Sequence, residues 1–185
     1  AIAYRDGLIR NFDDLAGDYD SLKEFSSDHN NAITWRHLLQ QTSEWEGTLW
    51  SKPDQVDRNR QVGLDANHSQ KGQPRQLMEP GGYWEYNDVR VNLVALCLTR
   101  LFETSLSDVL RKNIMDPIDA SHSWEWHGYR NSYIEIKGRL VQSVSGGAHW
   151  GGGLWISSLD HARMGLLISR HGRWGDVEIL PEYCL

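Results

Sequence analysis

A phenol and a carboxylate two residues apart are the first candidates for chemistry in this sequence. Tyr86 and Asp88 flank Asn87, directly before an apolar stretch. A free phenol has a pKa of about 10, so only about one molecule in a thousand is ionised at pH 7. Lowering that pKa by three would require about 4 kcal/mol of stabilisation from neighbouring cations. Taken alone, the three residues predict a turn in which Asp88 caps the helix that follows.

The elements that must position these side chains are short helices joined by long polar segments. Residues 33–43 predict a helix with Thr34 as its N-cap. Residues 44–80 are polar and broken by proline and glycine, and a loop this long is usually functional or an insertion. Residues 89–102 predict a buried helix and residues 106–113 a second one. Within the predicted helix of residues 33–43, Trp35, Leu38 and Leu39 share one face.

A β-hairpin and a capped helix are predicted in the C-terminal half. Residues 133–136 and 139–144 alternate apolar and polar side chains around residues 137–138, which favours a hairpin. Ser157 followed by Asp160 resembles a capping box and predicts the start of a further helix.

The composition argues against several classes of partner and site. The chain of 185 residues has a formal net charge of -6 and a pI near 5.7, and its 19 Lys and Arg are scattered, which argues against nucleic acid. No run of 18 apolar residues is present, so no membrane span is predicted. No signal peptide is visible, and the compartment is left undecided. The two cysteines form no CxxC pair, so no zinc knuckle or thioredoxin-like site is predicted.

Three segments, in this order, resemble the serine hydrolases of the β-lactamase and penicillin-binding-protein superfamily, which includes D-alanyl-D-alanine carboxypeptidases and related esterases and amidases. Residues 33–43 resemble its element I-T-[VI]-R-x-L-L-x-H-T-S-G. Residues 86–118 resemble Y-x-N and the two helices and I-x-x-P-L that follow it. Residues 151–165 resemble G-G-[LM]-x-S-T-x-x-D-[LM]-A-R-[FM]-G. The order and spacing of the three segments make the resemblance specific.

The resemblance implies an α+β fold in which a central antiparallel sheet packs beside a mostly helical lobe. Residues 1–185 would form a single partial domain: the helical lobe, a small β-hairpin and long loops, with both ends of the catalytic domain missing. The family's nucleophile lies in a Ser-x-x-Lys motif, which this sequence does not contain. That motif is expected upstream, and the K-T-G or H-x-G motif downstream. The chain alone is therefore expected to be inactive and to self-associate through exposed apolar surface.

The same resemblance assigns a role to Tyr86. In the family, the tyrosine of Y-x-N assists proton transfer between the serine and the leaving group, and the lysine of Ser-x-x-Lys is the cation expected to lower its pKa. Asp88 stands where the family usually has Asn, and an ionised carboxylate cannot donate a hydrogen bond to a substrate carbonyl. Asp88 would therefore be protonated, pair with a cation, or bind a positively charged substrate group. Glu44 replaces the glycine of T-S-G, so the sequence does not decide whether the turn expected after this motif forms.

The glycine-rich third segment contains further candidates. Together with Asp88, His149, Trp150 and Gly151 are candidate lining residues of the substrate pocket. No G-x-x-x-x-G-K-[ST] is present, so close backbone packing beside a cleft is expected rather than phosphate binding. Metal binding by the histidines within residues 122–149 lacks an i, i+4 pair, so neither a metal nor a cofactor is predicted.

The leading interpretation is an acyl-transfer enzyme. It would cleave a small-molecule ester, amide or peptide, with β-lactams and D-peptides among the candidates, through an acyl-serine whose nucleophile lies outside this chain. One alternative is a catalytically inactive relative that acts as a binding protein, which the carboxylate at position 88 mildly favours. The other is a carbohydrate-binding protein, since nine Trp and seven Tyr could stack on sugars.

Overall fold

The computed structural model describes residues 1–19, 22–144 and 153–184, which have an α+β fold. They form two compact units: Asn11–Cys97, and Ala1–Arg10 with Leu98–Leu185. The helices are α1 (Ile2–Arg5), α2 (Trp35–Leu39), α3 (Asp88–Phe102), α4 (Leu106–Leu110) and α5 (Ser158–Ser169). The strands are β1 (Thr48–Leu49), β2 (Lys52–Pro53), β3 (Glu125–Ile136), β4 (Arg139–Val144), β5 (Gly153–Trp155), β6 (Arg173–Trp174) and β7 (Val177–Glu178).

In the unit Asn11–Cys97, helix α2 begins as predicted. The Thr34 hydroxyl accepts the His37 N–H at 3.2 Å, and Nδ1 of His37 accepts the Thr34 N–H at 3.3 Å, which completes a capping box. Of the three apolar residues that share a face, Trp35 and Leu38 are buried, but Leu39 is 51% exposed. Leu39 is exposed because α2 ends at this residue and is too short to bury a full stripe.

The segment 44–80 of this unit is irregular, as its composition predicts. It contains β1 and β2, which pair antiparallel, and two 3-10 turns at Asp54–Asp57 and His68–Gln70. Its backbone also bonds to itself, since the Gly72 N–H donates to the Arg58 carbonyl at 2.8 Å. Buried charged side chains supply most of the remaining contacts and are described with the site.

The other unit contains a three-stranded antiparallel sheet in the order β4-β3-β5. The predicted hairpin is confirmed: Ile136 pairs with Arg139, and Lys137 and Gly138 have φ of 50° and 75°. Positive φ at both central residues is the backbone that a tight hairpin requires. Strand β3 is longer than predicted, and its register shifts between Gly128 and Tyr133.

Helices α4 and α5 of this unit begin at serine caps, and the cap of α5 at Ser157 is predicted from the sequence. The Ser105 hydroxyl accepts the Asp108 N–H at 3.0 Å, and the Ser157 hydroxyl accepts the Asp160 N–H at 3.1 Å. The predicted helix 106–113 is divided into α4 and a π-helical turn at Arg111–Met115. The buried core of the unit consists of Met115, Ile118, Trp124, Leu167, Ile179 and Leu180.

Candidate functional site

The phenol of Tyr86 lies at the end of an irregular run that is bonded to the residues after α2. The Gly81 N–H donates to the Thr42 carbonyl at 2.8 Å, and the Glu85 N–H donates to the Gln41 carbonyl at 3.1 Å. These two bonds fix the backbone on which Tyr86 stands. The tyrosine itself is half-buried.

Helix α3 begins two residues after the phenol, and Asn87 caps it. The Asn87 side-chain oxygen accepts the N–H groups of Val89 and Arg90 at 3.0 and 3.3 Å. The Asn87 amide group also donates to the Asp54 carbonyl at 2.9 Å. The prediction that Asp88 caps the helix is wrong, because Asp88 is already its first residue. Its carboxylate is consequently available for other contacts.

Asp88 binds both the phenol and a cation. Its carboxylate lies 2.9 Å from a guanidinium nitrogen of Arg60 and accepts a hydrogen bond from the Tyr86 hydroxyl. Arg60 also covers the phenol, with its Cζ 4.8 Å from the ring centroid. Of the three states open to Asp88 from the sequence, pairing with a cation is the one present.

Asp57, the last residue of the 3-10 turn Asp54–Asp57, also contacts this group of side chains. Its carboxylate accepts the Asp88 N–H at 3.0 Å and binds Lys71 at 2.7 Å, and it lies 3.8 Å from Arg60. Asp57 and Asp88 are both almost fully buried. Two buried carboxylates thus face two cations, which is the compensation that buried charges require.

The electrostatic surroundings keep the Tyr86 phenol neutral. Burial, followed by the hydrogen bond to Asp88 and its negative charge, raises the pKa of Tyr86 to about 12, while Arg60 acts in the opposite direction. At pH 7 only about one phenol in 100,000 is then ionised. In this chain, Tyr86 is therefore a hydrogen-bond donor to Asp88 rather than a preformed base.

Glu44, the other departure from the family pattern, anchors a second group of charges. It has a φ of 50°, so it keeps the left-handed backbone that suits the family's glycine. Its fully buried carboxylate binds Arg75 through two bonds of 2.5 and 2.6 Å and Arg90 at 2.8 Å. It also accepts the Met78 N–H at 2.9 Å. Although burial opposes ionisation, these donors lower the pKa of Glu44 to about 2.

Two further buried carboxylates complete this charged scaffold. Asp54 binds Arg58 at 2.7 Å and lies 3.4 Å from Arg90. Glu85 binds Arg75 at 2.8 Å. The scaffold therefore joins the segment 44–80 to the residues on either side of the phenol.

The cations of the site were not predicted from the sequence. Arg60 and Arg75 lie in a segment without periodicity, where nothing in the pattern names their partners. Two signals were present: the dense charges of residues 54–60, and Arg90 in the first turn of an otherwise apolar helix. A buried charge of this kind is rare unless it is paired.

The remaining predicted site residues, His149, Trp150 and Gly151, lie outside the described residues. Among the residues described, no group of three or more His, Cys, Asp or Glu is arranged to hold a metal ion. Within the same part of the chain, no helix has the length and apolar character needed to cross a membrane. The described site thus consists of Tyr86 and Asp88 with their cations.

The fold is similar to several solved structures. A protein assigned as a 6-aminohexanoate-dimer hydrolase from Bacillus anthracis has 16% identity and a TM-score of 0.63, over 99% of this chain and 47% of that one. A penicillin-binding protein from Bacillus halodurans has 19% identity and a TM-score of 0.58, over 98% and 56%. An octameric penicillin-binding protein homologue from Pyrococcus abyssi has 18% identity and a TM-score of 0.58, over 98% and 43%. The chain thus spans about half the length of these structures, and at such identities the likeness shows the fold.

Comparison of the sequences goes further than the fold. No curated protein matches the chain. A sequence model of the Beta-lactamase family matches residues 11–128, which include α2, Tyr86 and Asp88. Because this match covers more than half of the sequence, the chain belongs to the Beta-lactamase family.

Proposed function

We propose that this chain is the tyrosine-bearing part of a serine hydrolase domain that cleaves an ester or amide bond through an acyl-serine intermediate. The observation that carries the proposal is the placement of Tyr86: a half-buried phenol, bonded to a buried carboxylate, at the start of α3 and within the family match. The nucleophile would come from polypeptide outside this chain, since Ser-x-x-Lys does not occur in it. The names of the similar structures, a hydrolase and two penicillin-binding proteins, favour the same class.

The reaction needs a group that carries a proton between two positions. The serine oxygen attacks the substrate carbonyl carbon and must lose its proton, and the leaving group must gain one. Making Tyr86 a phenolate at pH 7 would mean lowering its pKa from about 12 to 7, which costs about 7 kcal/mol. One cation 4 Å away supplies only about 4 kcal/mol near a protein surface. Tyr86 therefore works as a neutral phenol that takes one proton as it passes on another.

The test is acylation of the complete polypeptide that carries this chain. A fluorophosphonate or a penicillin should label a serine outside residues 1–185, whereas the 185-residue chain alone should not be labelled. Tyr86→Phe should lower the acylation rate by at least about 100-fold, because it removes the proton carrier.

Tyr83→Phe is the matched control for this experiment. Tyr83 lies three residues away, and Arg75 covers its ring at 4.6 Å much as Arg60 covers Tyr86, but no bond to Asp88 involves it. Its rate should stay within about twofold of the unmodified protein. Equal rates for the two variants would refute the role of Tyr86.

A catalytically inactive binding protein is the second candidate, and the raised pKa of Tyr86 favours it. A carboxylate beside the phenol makes a phenolate harder to form, which is the opposite of what a tyrosine base needs. This candidate predicts that the complete polypeptide binds penicillin or a D-peptide reversibly and that no serine becomes labelled. The acylation assay separates the two.

We also propose that the isolated chain self-associates through apolar side chains of α5. Leu159 and Ile168 are 64% and 56% exposed, and Leu166 of the same helix is also exposed. Sedimentation of the unmodified chain should detect oligomers. The double variant Leu159→Glu with Ile168→Glu should sediment as a monomer. A monomer with a cooperative thermal transition would contradict the proposal.

A further inference from the structure

We infer that Arg60 is a positioning residue of the site: it holds the Asp88 carboxylate against Tyr86, so that Asp88 receives the phenol's proton during acyl transfer. The inference rests on the proposed function. It assigns a role to the long segment 44–80, from which Arg60 comes.

The geometry brings three groups into mutual contact. Arg60 lies 2.9 Å from the Asp88 carboxylate and its Cζ lies 4.8 Å from the centre of the Tyr86 ring. The Tyr86 hydroxyl is bonded to the same carboxylate. Each member of the triangle therefore touches the other two. Removing Arg60 would leave a buried carboxylate without its strongest partner.

Charges of both signs surround the triangle. Asp88 and Asp57 supply two negative charges, while Arg60 and Lys71 supply two positive ones. Lys52 is also close enough for both carboxylates to oppose the lowering of its pKa by burial. Cations of the segment 44–80 thus surround the carboxylate at position 88.

This arrangement changes what position 88 can do. An asparagine there could donate a hydrogen bond to a substrate carbonyl, but a carboxylate accepts only. Asp88 already accepts from Arg60 and from Tyr86, so its oxygens face donors rather than a substrate oxygen. A group placed this way is suited to receive a proton from the phenol.

The proton path can be written without any further reactant. As the serine oxygen bonds to the carbonyl carbon, the C=O π electrons move onto the carbonyl oxygen. The serine proton passes to the Tyr86 oxygen while the proton of Tyr86 passes to Asp88. The electron pair on that oxygen then re-forms the C=O bond as the bond from the carbon to the leaving group breaks, and the electron pair of the broken bond leaves with that group. Tyr86 then gives the group a proton and regains its own from Asp88, which is again a carboxylate beside Arg60.

The contact can be tested on the 185-residue chain by the NMR signal of the Tyr86 ring carbon that bears the hydroxyl, measured at pH 7.5 with labelled tyrosine. Tyr86→Phe assigns the signal. Asp88→Asn should move it, because the bond to a carboxylate is lost. Arg60→Ala should also move it, whereas Arg60→Lys, which keeps the charge, should restore most of the original position.

Arg58→Ala is the matched control. Arg58 lies two residues from Arg60 and pairs with a different buried carboxylate, Asp54. It should cost stability without moving the Tyr86 signal. The inference is overturned if Asp88→Asn leaves the signal in place, or if Arg60→Ala moves it no further than Arg58→Ala does.

The catalytic part of the inference needs the complete polypeptide. Arg60→Ala should lower the acylation rate by about 100-fold, the scale of a misplaced catalytic group. Because Arg60 acts through Asp88, the double variant Arg60→Ala with Asp88→Asn should be within about twofold of Asp88→Asn alone. If the rate reductions of Arg60→Ala and Asp88→Asn multiplied in the double variant, the two residues would act independently and the positioning role of Arg60 would be refuted. No acylation of the unmodified polypeptide would refute the proposed function and with it proton acceptance by Asp88, while the NMR signal would still decide the contact.

Discussion

Glu44→Gln is expected to destabilise the unit Asn11–Cys97 strongly, although glutamine has nearly the shape of glutamate. The substitution removes one negative charge from a fully buried site and leaves Arg75 and Arg90 without their main partner. Breaking a buried pair from one side typically costs about 3–5 kcal/mol, because the remaining charge stays buried.

The lowered pKa of Glu44 gives an independent magnitude. A fall from 4.5 to about 2 is a difference of about 2.5, which corresponds to about 3 kcal/mol of stability above pH 4.5. Since the folded-state pKa is the lower one, the unfolded chain takes up the proton first as the pH falls. The contribution is therefore lost between pH 4.5 and about 2, and about 2 kcal/mol of it is gone at pH 3.

The assay is urea unfolding, followed by tryptophan fluorescence at pH 7 and at pH 3. With a slope of about 2 kcal/mol per molar, 3 kcal/mol lowers the midpoint by about 1.5 M at pH 7. The difference in urea midpoint between Glu44→Gln and the unmodified chain should be smaller at pH 3 than at pH 7. At pH 3 the unmodified chain has itself lost part of the stability that the Glu44 carboxylate contributes.

Glu46→Gln is the control, since Glu46 lies two residues away and is exposed. It should change stability by less than about 0.5 kcal/mol at either pH. If Glu44→Gln behaved like Glu46→Gln, or if its deficit were the same at pH 3 as at pH 7, the buried ion pairs would not be what stabilises this unit.

Three further substitutions or probes test local features. Thr34→Ala should cost about 1 kcal/mol in urea unfolding, because the first turn of α2 loses its cap. Gly172→Ala should lower the free energy of unfolding clearly more than Gly7→Ala does. Both glycines have positive φ, but of the two only position 172 would place the new Cβ against a backbone oxygen, that of Leu180. Equal losses of stability in the two variants would contradict this. The thiol of Cys97 is fully buried, whereas the other free cysteine, Cys184, is partly exposed. In a Cys184→Ser variant, reaction of Cys97 with a thiol reagent should therefore follow the rate of unfolding, and rapid labelling of that native variant would contradict the burial of Cys97.

The features that could be predicted from the sequence are those decided by neighbouring residues. The caps at Thr34 and Ser157 depend on a hydroxyl and an N–H three residues apart, and the 137–138 turn depends on two consecutive backbone conformations. The prediction for Asp88 failed by one position, because Asn87 competes for the same cap and also binds the Asp54 carbonyl. Cap assignment within a run of two capping residues therefore depends on tertiary contacts.

The charged contacts of the site could not be predicted, because their partners are distant in the chain. Arg60 and Asp88 are 28 residues apart, and Glu44 and Arg90 are 46 apart. No periodicity relates such pairs, and a polar loop by itself suggests solvated charges. Because unpaired buried charges are rare, a buried Arg90 implies a carboxylate partner. The rule does not identify which carboxylate that partner is.

The two departures from the family pattern have one common explanation. Glu44 stands in place of a glycine and Asp88 in place of an asparagine, so each adds a carboxylate to a buried position. Each new charge is met by an arginine of the same long segment: Arg75 for Glu44 and Arg60 for Asp88. A carboxylate at either position without its arginine would be an unpaired buried charge, and either arginine without its carboxylate would lose the contact that binds the segment to the site. The carboxylates and the segment 44–80 are therefore physically interdependent, which is why a loop rich in charge, proline and glycine is held beside the phenol.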